Sequence, residues 1–255
     1  LRNDVVVFLG PTISAAEASQ HLDAHYLPPA GCGDVVRAVV DYAPSTIALI
    51  DGAFAQSPAV RHQEILWAMS KGIRLYGAAS MGALRAAELA QFGMMGHGLI
   101  FRWYRRNVLA DDADVTVPMA PPEMGSKGIG EALFDIRMTL KRAEREGLID
   151  RRVRLQLEEL SRSLHFMTRS FRKLMLIAEA NLRDIDQLAG LKEWVSHRFV
   201  NQKRTDAVGL LNYLSTIAPK TAPSPTSRDF TLTEAFAYDM DYYNLSDAIL
   251  SKGAL

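Results

Sequence analysis

Three times within the first hundred residues a β-prone apolar run gives way to a turn of small residues and then to a helical pattern. Val5 to Leu9 ends at Gly10-Pro11-Thr12 and leads into an amphipathic helix from Ser14 to Ala24. Thr46 to Ile50 closes at Asp51-Gly52 and precedes a helix from about Ala59 to Lys71. Ile73, Leu75 and Tyr76 lead through the run from Gly77 to Gly82 into helix-forming residues from Ala83 to Leu89. Consecutive strands that pair in parallel need helical crossovers, so this alternation predicts an α/β fold: a small parallel sheet flanked by helices over residues 1–117 or so. Functional groups in such sheets gather outside the carboxyl ends of the strands. Gly10-Pro11-Thr12, Asp51-Gly52 and Ala79-Ser80-Met81 are therefore expected at one edge.

The third unit, GIRLYGAASMGALRAAELAQFG from Gly72 to Gly93, carries the most chemistry. Ala78-x-Ser80-x-Gly82 is one residue away from the G-x-S-x-G nucleophile elbow, which exposes a serine on a tight strand-to-helix turn. Such a serine stands beside free backbone N–H groups at a helix N-terminus, where negative charge is stabilised. The same spacing suits a serine that only caps the helix, with Arg85 and Glu88 on its surface. Spacing leaves both readings open.

The rest of the first half is read as follows. Tyr26 to Asp34 is a Pro/Gly loop, with Asp34 a cap for a helix from Val35 to Tyr42. Cys32 lies in that loop with no evident cation or helix dipole to activate it. Neither G-x-G-x-x-G nor a Walker lysine follows the first strand, which argues against nucleotide binding. Phe92 to Gly98, with His97, is a flexible connection before a helix from Leu99 to Leu109. The acidic run Ala110 to Asp114 has no EF-hand spacing and reads as a solvated or arginine-pairing turn rather than a cation site. Val115 to Val117 is a candidate fourth, edge strand, and Pro118 to Gly130 the best domain boundary.

Beyond it, helical periodicity covers Glu131–Glu146, Arg151–His165, Thr168–Asn181, Ile185–Lys203 and Asp206–Ser215. The expected organisation is an α/β core over 1–130 and a mainly helical C-terminal part over 131–255 that completes the same compact unit. A Pro/Ser/Thr linker is expected near 218–226, and an aromatic tail with Phe236, Tyr238, Tyr242 and Tyr243 is expected to dock. Formal net charge is zero, so nothing calls for nucleic acid or another polyanion as partner. The basic side chains from Arg151 to Lys173, notably Arg169 and Arg172, form a candidate partner-binding face. A single cysteine excludes an internal disulfide and a cysteine-rich zinc site. The apolar N-terminal run is too short for a signal-peptide core or a membrane span. The expectation is a cytoplasmic protein with no metal and no membrane association.

Several stretches together resemble the TfuA-like protein family, which acts beside YcaO enzymes in peptide thioamidation. They are FLGPT (Phe8 to Thr12), LPPAGCGD (Leu27 to Asp34), IDGAF (Ile50 to Phe54), AVRHQEILWAM (Ala59 to Met69), YGAASMGALRAAELAQFGM (Tyr76 to Met94) and ADDADV (Ala110 to Val115). QKRTDAVGLL, Gln202 to Leu211, is a weaker match. The resemblance implies a hydrolase-like protein with a Ser-Lys pair that releases sulfide from a thiocarboxylated, ThiS-type ubiquitin-like carrier. The YcaO partner would use that sulfide, with ATP, to thioamidate a precursor peptide; this chain would need no cofactor of its own. The alternative is a non-catalytic activator that couples YcaO to its peptide.

The serine maps to Ser80 and the lysine to Lys203. A family-like lysine after the helical histidine is replaced by Gln63. Pro118-Met119 stand where a His-Gly pair is usual, and FDIR (Phe134 to Arg137) where similar proteins read roughly VNIR. A lysine serves as base only when burial lowers its pKa well below about 10.4. The backbone N–H groups of Met81 and Thr12 are the oxyanion candidates, and Gly10, Asp51, His62, Arg85 and Glu88 are the expected supporting residues. Should Lys203 not serve, His62 is the next candidate base.

Overall fold

The computed structural model describes residues 4–53, 57–107, 110–120, 128–183, 185–217 and 230–250. Phe54 and the linker expected at 218–226 lie outside these residues. In chain order the elements are β1 (Val5–Phe8), α1 (Ala15–Ala18), β2 (His25–Leu27), α2 (Asp34–Tyr42), β3 (Thr46–Leu49), α3 (His62–Ser70), β4 (Arg74–Ala78), α4 (Met81–Leu89), β5 (Met95–His97) and α5 (Gly98–Arg106). Then come α6 (Leu133–Arg145), α7 (Arg151–Ser163), α8 (Phe171–Asn181), α9 (Ile185–Arg198), α10 (Gln202–Thr216), α11 (Glu234–Tyr242) and α12 (Ser246–Leu250). Among the described residues no helix is long and apolar enough to cross a membrane.

The chain divides into two compact units, one of Leu1–Leu109 with Arg204–Leu255 and one of Ala110–Lys203. This differs from a division near residue 130, and the reason lies in α10. Its Ala207, Leu210, Leu211 and Leu214 join the core that covers one face of the sheet, so the C-terminal segment belongs with the N-terminal one.

In the first unit the five strands are all parallel, in the order β2-β1-β3-β4-β5. Alternate side chains of a strand point to opposite faces. Val6 and Phe8 meet Val35, Val39, Ile65 and Met69 of α2 and α3, while Val5 and Val7 meet α1 and α10. The sheet is buried on both sides, as parallel sheets are. Phe236 and Met240 of α11 lie 2% and 0% exposed in the first of these clusters, so the aromatic tail docks there.

Two of the strands lie in stretches read from sequence as loops. β2 is three residues long and runs into Pro28-Pro29, but pairs with β1 along His25, Tyr26 and Leu27. β5 lies within the stretch expected to be a flexible connection. Its Gly96 leaves room for the Phe101 ring, which would lie 2.0 Å from a Cβ there. The helix expected through Ala24 stops at Ala18, where Gln20 N–H to Glu17 and His21 N–H to Ala18 tighten the chain into turns.

The second unit is helical, with α6, α7, α8 and α9 around Ile136, Leu140, Leu157, Leu174 and Leu191. Val115 to Val117 is not a strand. Val115 closes a 3-10 turn over Asp112–Asp114, and the Thr116 hydroxyl donates to the Asp112 carbonyl. The helix read as continuous to Lys203 ends at Arg198, and α10 begins at Gln202. The buried Asp135 carboxylate of α6 accepts from the N–H groups of Gln202 and Lys203 and so starts the new helix.

Candidate active site

In a parallel sheet all carboxyl ends lie on one edge, so β1, β3 and β4 deliver Gly10-Pro11-Thr12, Asp51-Gly52 and Ala79-Ser80-Met81 side by side, in that order. Asp51, 2% exposed, ties the first two turns together. Its Oδ2 accepts from the N–H groups of Gly10 at 2.9 Å and Thr12 at 3.0 Å, and its Oδ1 accepts from the Thr12 hydroxyl at 2.6 Å. This corrects the expectation for Thr12. Its N–H is spent on Asp51 and does not face an incoming oxyanion.

The turn after β4 is tight and strained. Ala79 has φ of 68°, a conformation that costs an L-residue about 1–3 kcal/mol. The Ser80 N–H donates back to the Ala78 carbonyl at 2.8 Å, closing a three-residue turn. Ser80 has the position of an N-cap at the start of α4, yet its side chain makes no capping hydrogen bond. The capping reading therefore accounts for the position of Ser80 but not for its hydroxyl. Next to it, the Met81 N–H is one of the first-turn donors that a helix leaves without an intrahelical partner. Gly82 N–H instead reaches the Ile50 carbonyl at 3.3 Å.

Two glycines allow this approach of helix to sheet. A Cβ on Gly82 would stand 1.8 Å from the Leu49 carbonyl oxygen, and one on Gly77 would stand 2.0 Å from the Gly82 carbonyl oxygen. Gly52 likewise abuts Met81, whose Cγ would lie 2.6 Å from a Cβ at residue 52. Gly82 matches the last glycine of the elbow pattern, and here its role is close packing of α4 on β3.

The remaining supporting residues of the first unit form a second group. His62 Nε2 lies 2.7 Å from Glu88 Oε2, Arg85 Nη1 lies 2.7 Å from the same oxygen, and Arg85 Nε donates to the Val60 carbonyl. Burial raises the Glu88 pKa, but the His62 and Arg85 contacts outweigh it and hold the carboxyl below its usual range. Glu88 is eight residues past Ser80, about 12 Å of helix rise away. The His62 ring is thus engaged far along α4 and is not poised on Ser80.

Lys203, 4% exposed, belongs to the second unit; its amine donates to the Val115 carbonyl at 2.9 Å. In the same unit Arg169 is 4% exposed, donating to the Leu164 and Ala113 carbonyls. This corrects its assignment to a partner-binding face, whereas Arg172 is exposed. The acidic turn is built inward: Asp111 caps it by accepting from Ala113 N–H, and Asp114 is buried. Burial raises the Asp114 pKa against the pull of Arg137 and Arg162. Among the described residues no three His, Cys, Asp or Glu side chains converge as metal ligands would.

Glu64 was not singled out from sequence. Fully buried, it accepts from the N–H groups of Gly33, Val35 and Arg61, and so holds the start of α2 as well as its own helix. Asp34, the expected cap of α2, instead accepts from Gly31 N–H. Glu64 stands at the third helical position, from which a glutamate reaches back to the N–H of the residue before the helix, but Arg61 has no acceptor to complete a capping box; the reach to α2 is set by the fold alone. Cys32 sits beside this carboxylate. Burial, then the Glu64 charge, push its thiol up to about 11, against a hydrogen bond with Arg61, which leaves it a poor nucleophile.

The family model described as TfuA-like protein matches residues 51–170. The match takes in Asp51, His62, Ser80, Met81, Arg85 and Glu88, and it ends before Lys203. No curated protein matches the chain.

Proposed function

We propose that this chain, which carries a TfuA-like domain over residues 51–170, acts beside a YcaO-type enzyme in the thioamidation of a peptide. In this reading it hydrolyses a thiocarboxylated ThiS-type carrier to supply sulfide. One observation carries the hydrolytic reading. Within the matched segment, a strained strand-to-helix turn at the carboxyl-end edge of the sheet holds a serine, 9% exposed, whose hydroxyl is not used as a cap.

The chemistry follows from those groups. The Ser80 oxygen attacks the carbonyl carbon of the carrier's terminal thiocarboxylate, and the Met81 N–H faces the negative oxygen of the tetrahedral adduct. The carbon–sulfur bond breaks, and the proton lost by Ser80 leaves on the sulfur. Water then cleaves the acyl-serine ester. Overall, thiocarboxylate and water give carboxylate and hydrogen sulfide. Lys203 is assigned as the base by the resemblance, and an arginine there would not replace it, because a guanidinium stays protonated.

The test is sulfide release from a thiocarboxylated carrier. Ser80→Ala and Lys203→Ala should each lower it at least about a thousandfold, and the double variant should be barely worse, as members of one catalytic unit are not additive. Lys203→Arg should fail too. Wild-type protein that releases no sulfide yet strengthens peptide binding by the YcaO partner would refute the hydrolase and favour the activator.

A further inference from the structure

The helix α11 reads EAFAYDMDY, with three acids and no base. Its period buries Phe236 and Met240 and turns Glu234, Tyr238, Asp241 and Tyr242 outward. Tyr238 and Tyr242 are 74% and 73% exposed, the highest values among the large exposed apolar side chains of the described residues. Beside this face lies a cavity of about 660 Å³, lined by Arg61, His62 and Gln63 at the start of α3 and by Glu234, Phe236 and Tyr238 of α11, among others.

The Arg61 guanidinium of this cavity already has a carboxylate partner, Asp239 at 3.1 Å, and the His62 ring lies 2.7 Å from Glu88, which also pairs with Arg85. Glu234 lines it with no ion pair among the described residues. Glu234 is a further carboxylate beside the exposed π-face of Tyr238, the combination that holds a cationic side chain.

We infer that the outward face of α11 and this cavity dock a basic segment of a partner protein, with one arginine or lysine side chain entering the cavity against Tyr238 and Glu234. A second copy of this chain, with formal net charge zero, offers no overall attraction to this face, and self-association is separated by the experiment. The inference does not rest on hydrolysis at Ser80.

Fluorescence anisotropy of the full chain with a labelled peptide of alternating Arg and Ala tests it. Binding that weakens with salt is expected, and an equally long Glu/Ala peptide should not bind. Glu234→Lys and Tyr238→Ala should each weaken binding by about tenfold or more, while Tyr238→Phe keeps the ring and should retain most of it. Glu159→Lys, the same charge change at an exposed site of α7, and Ser80→Ala should bind as wild type. Circular dichroism checks that each variant is folded. The inference is overturned by absence of binding to the arginine peptide, by equal losses in Glu159→Lys and Glu234→Lys, or by full binding in Tyr238→Ala. It is also overturned if sedimentation shows self-association that Glu234→Lys dissolves.

Discussion

Substituting Gly82 by alanine probes how closely α4 must lie on the sheet for Ser80 to be presented at all. The added Cβ would stand 1.8 Å from the Leu49 oxygen and 2.5 Å from its carbon. Both are backbone atoms of β3, so no side-chain rotation relieves the contact. Restoring an ordinary separation needs a shift of more than an ångström between helix and strand, and overpacking of this kind costs about 1–3 kcal/mol or more. Alanine returns about 1 kcal/mol through its higher helix propensity. The net expectation is a loss of about 2 kcal/mol, read as a lower midpoint in urea denaturation. Gly72→Ala is the control: nothing lies within 4 Å of its Cβ position, and the cost there comes from its φ of 85° alone, about 1–2 kcal/mol. Activity separates the two further, since only Gly82→Ala displaces the turn that holds Ser80. Gly82→Ala protein that is as stable as wild type would refute the close-packing argument. A stable variant with intact sulfide release would also remove the link between this glycine and the site.

Two further outcomes follow from buried charge. Burial raises the Glu64 pKa to about 7, against the pull of backbone N–H groups from Arg61, Gly33 and Val35. Between the unfolded value near 4.5 and 7 the folded chain binds the extra proton, so this group's contribution is fully present below pH 4.5 and is lost as pH rises to 7, by up to about 3 kcal/mol. Urea titrations across that window should show the decline, and Glu64→Gln should flatten it; parallel slopes would contradict the assignment. Arg169→Glu should destabilise the unit of residues 110–203 by about 3 kcal/mol or more, because it places an unpaired charge where a guanidinium met two carbonyls. Exposed Arg172→Glu should stay within about 0.5 kcal/mol. Thermal unfolding of the two variants compares them directly, and equal midpoints would show that Arg169 is not the internal tie described above.

The local pattern of the chain determined the parallel sheet, because apolar runs followed by helical periodicity leave few ways to pair. It also marked Ser80 through the small residues around it, since only such residues suit a tight strand-to-helix turn. Short-range signals of this kind are written within a few positions. Tertiary structure alone decided the rest. β2 and β5 are too short to announce themselves and exist through pairing with β1 and β4. α10 carries an ordinary helical pattern, and only the seating of its residues from Arg204 onward on the sheet assigns them to the first unit. Asp51, Glu64 and Asp135 act on backbone N–H groups 39, 31 and 68 positions away. No periodicity encodes such a bond, because a carboxylate's partner is set by where the fold carries an unsatisfied N–H. The same physics separated Arg169 from Arg172. Both look like surface charge in the sequence, and burial against the Leu164 and Ala113 carbonyls makes one of them part of the interior.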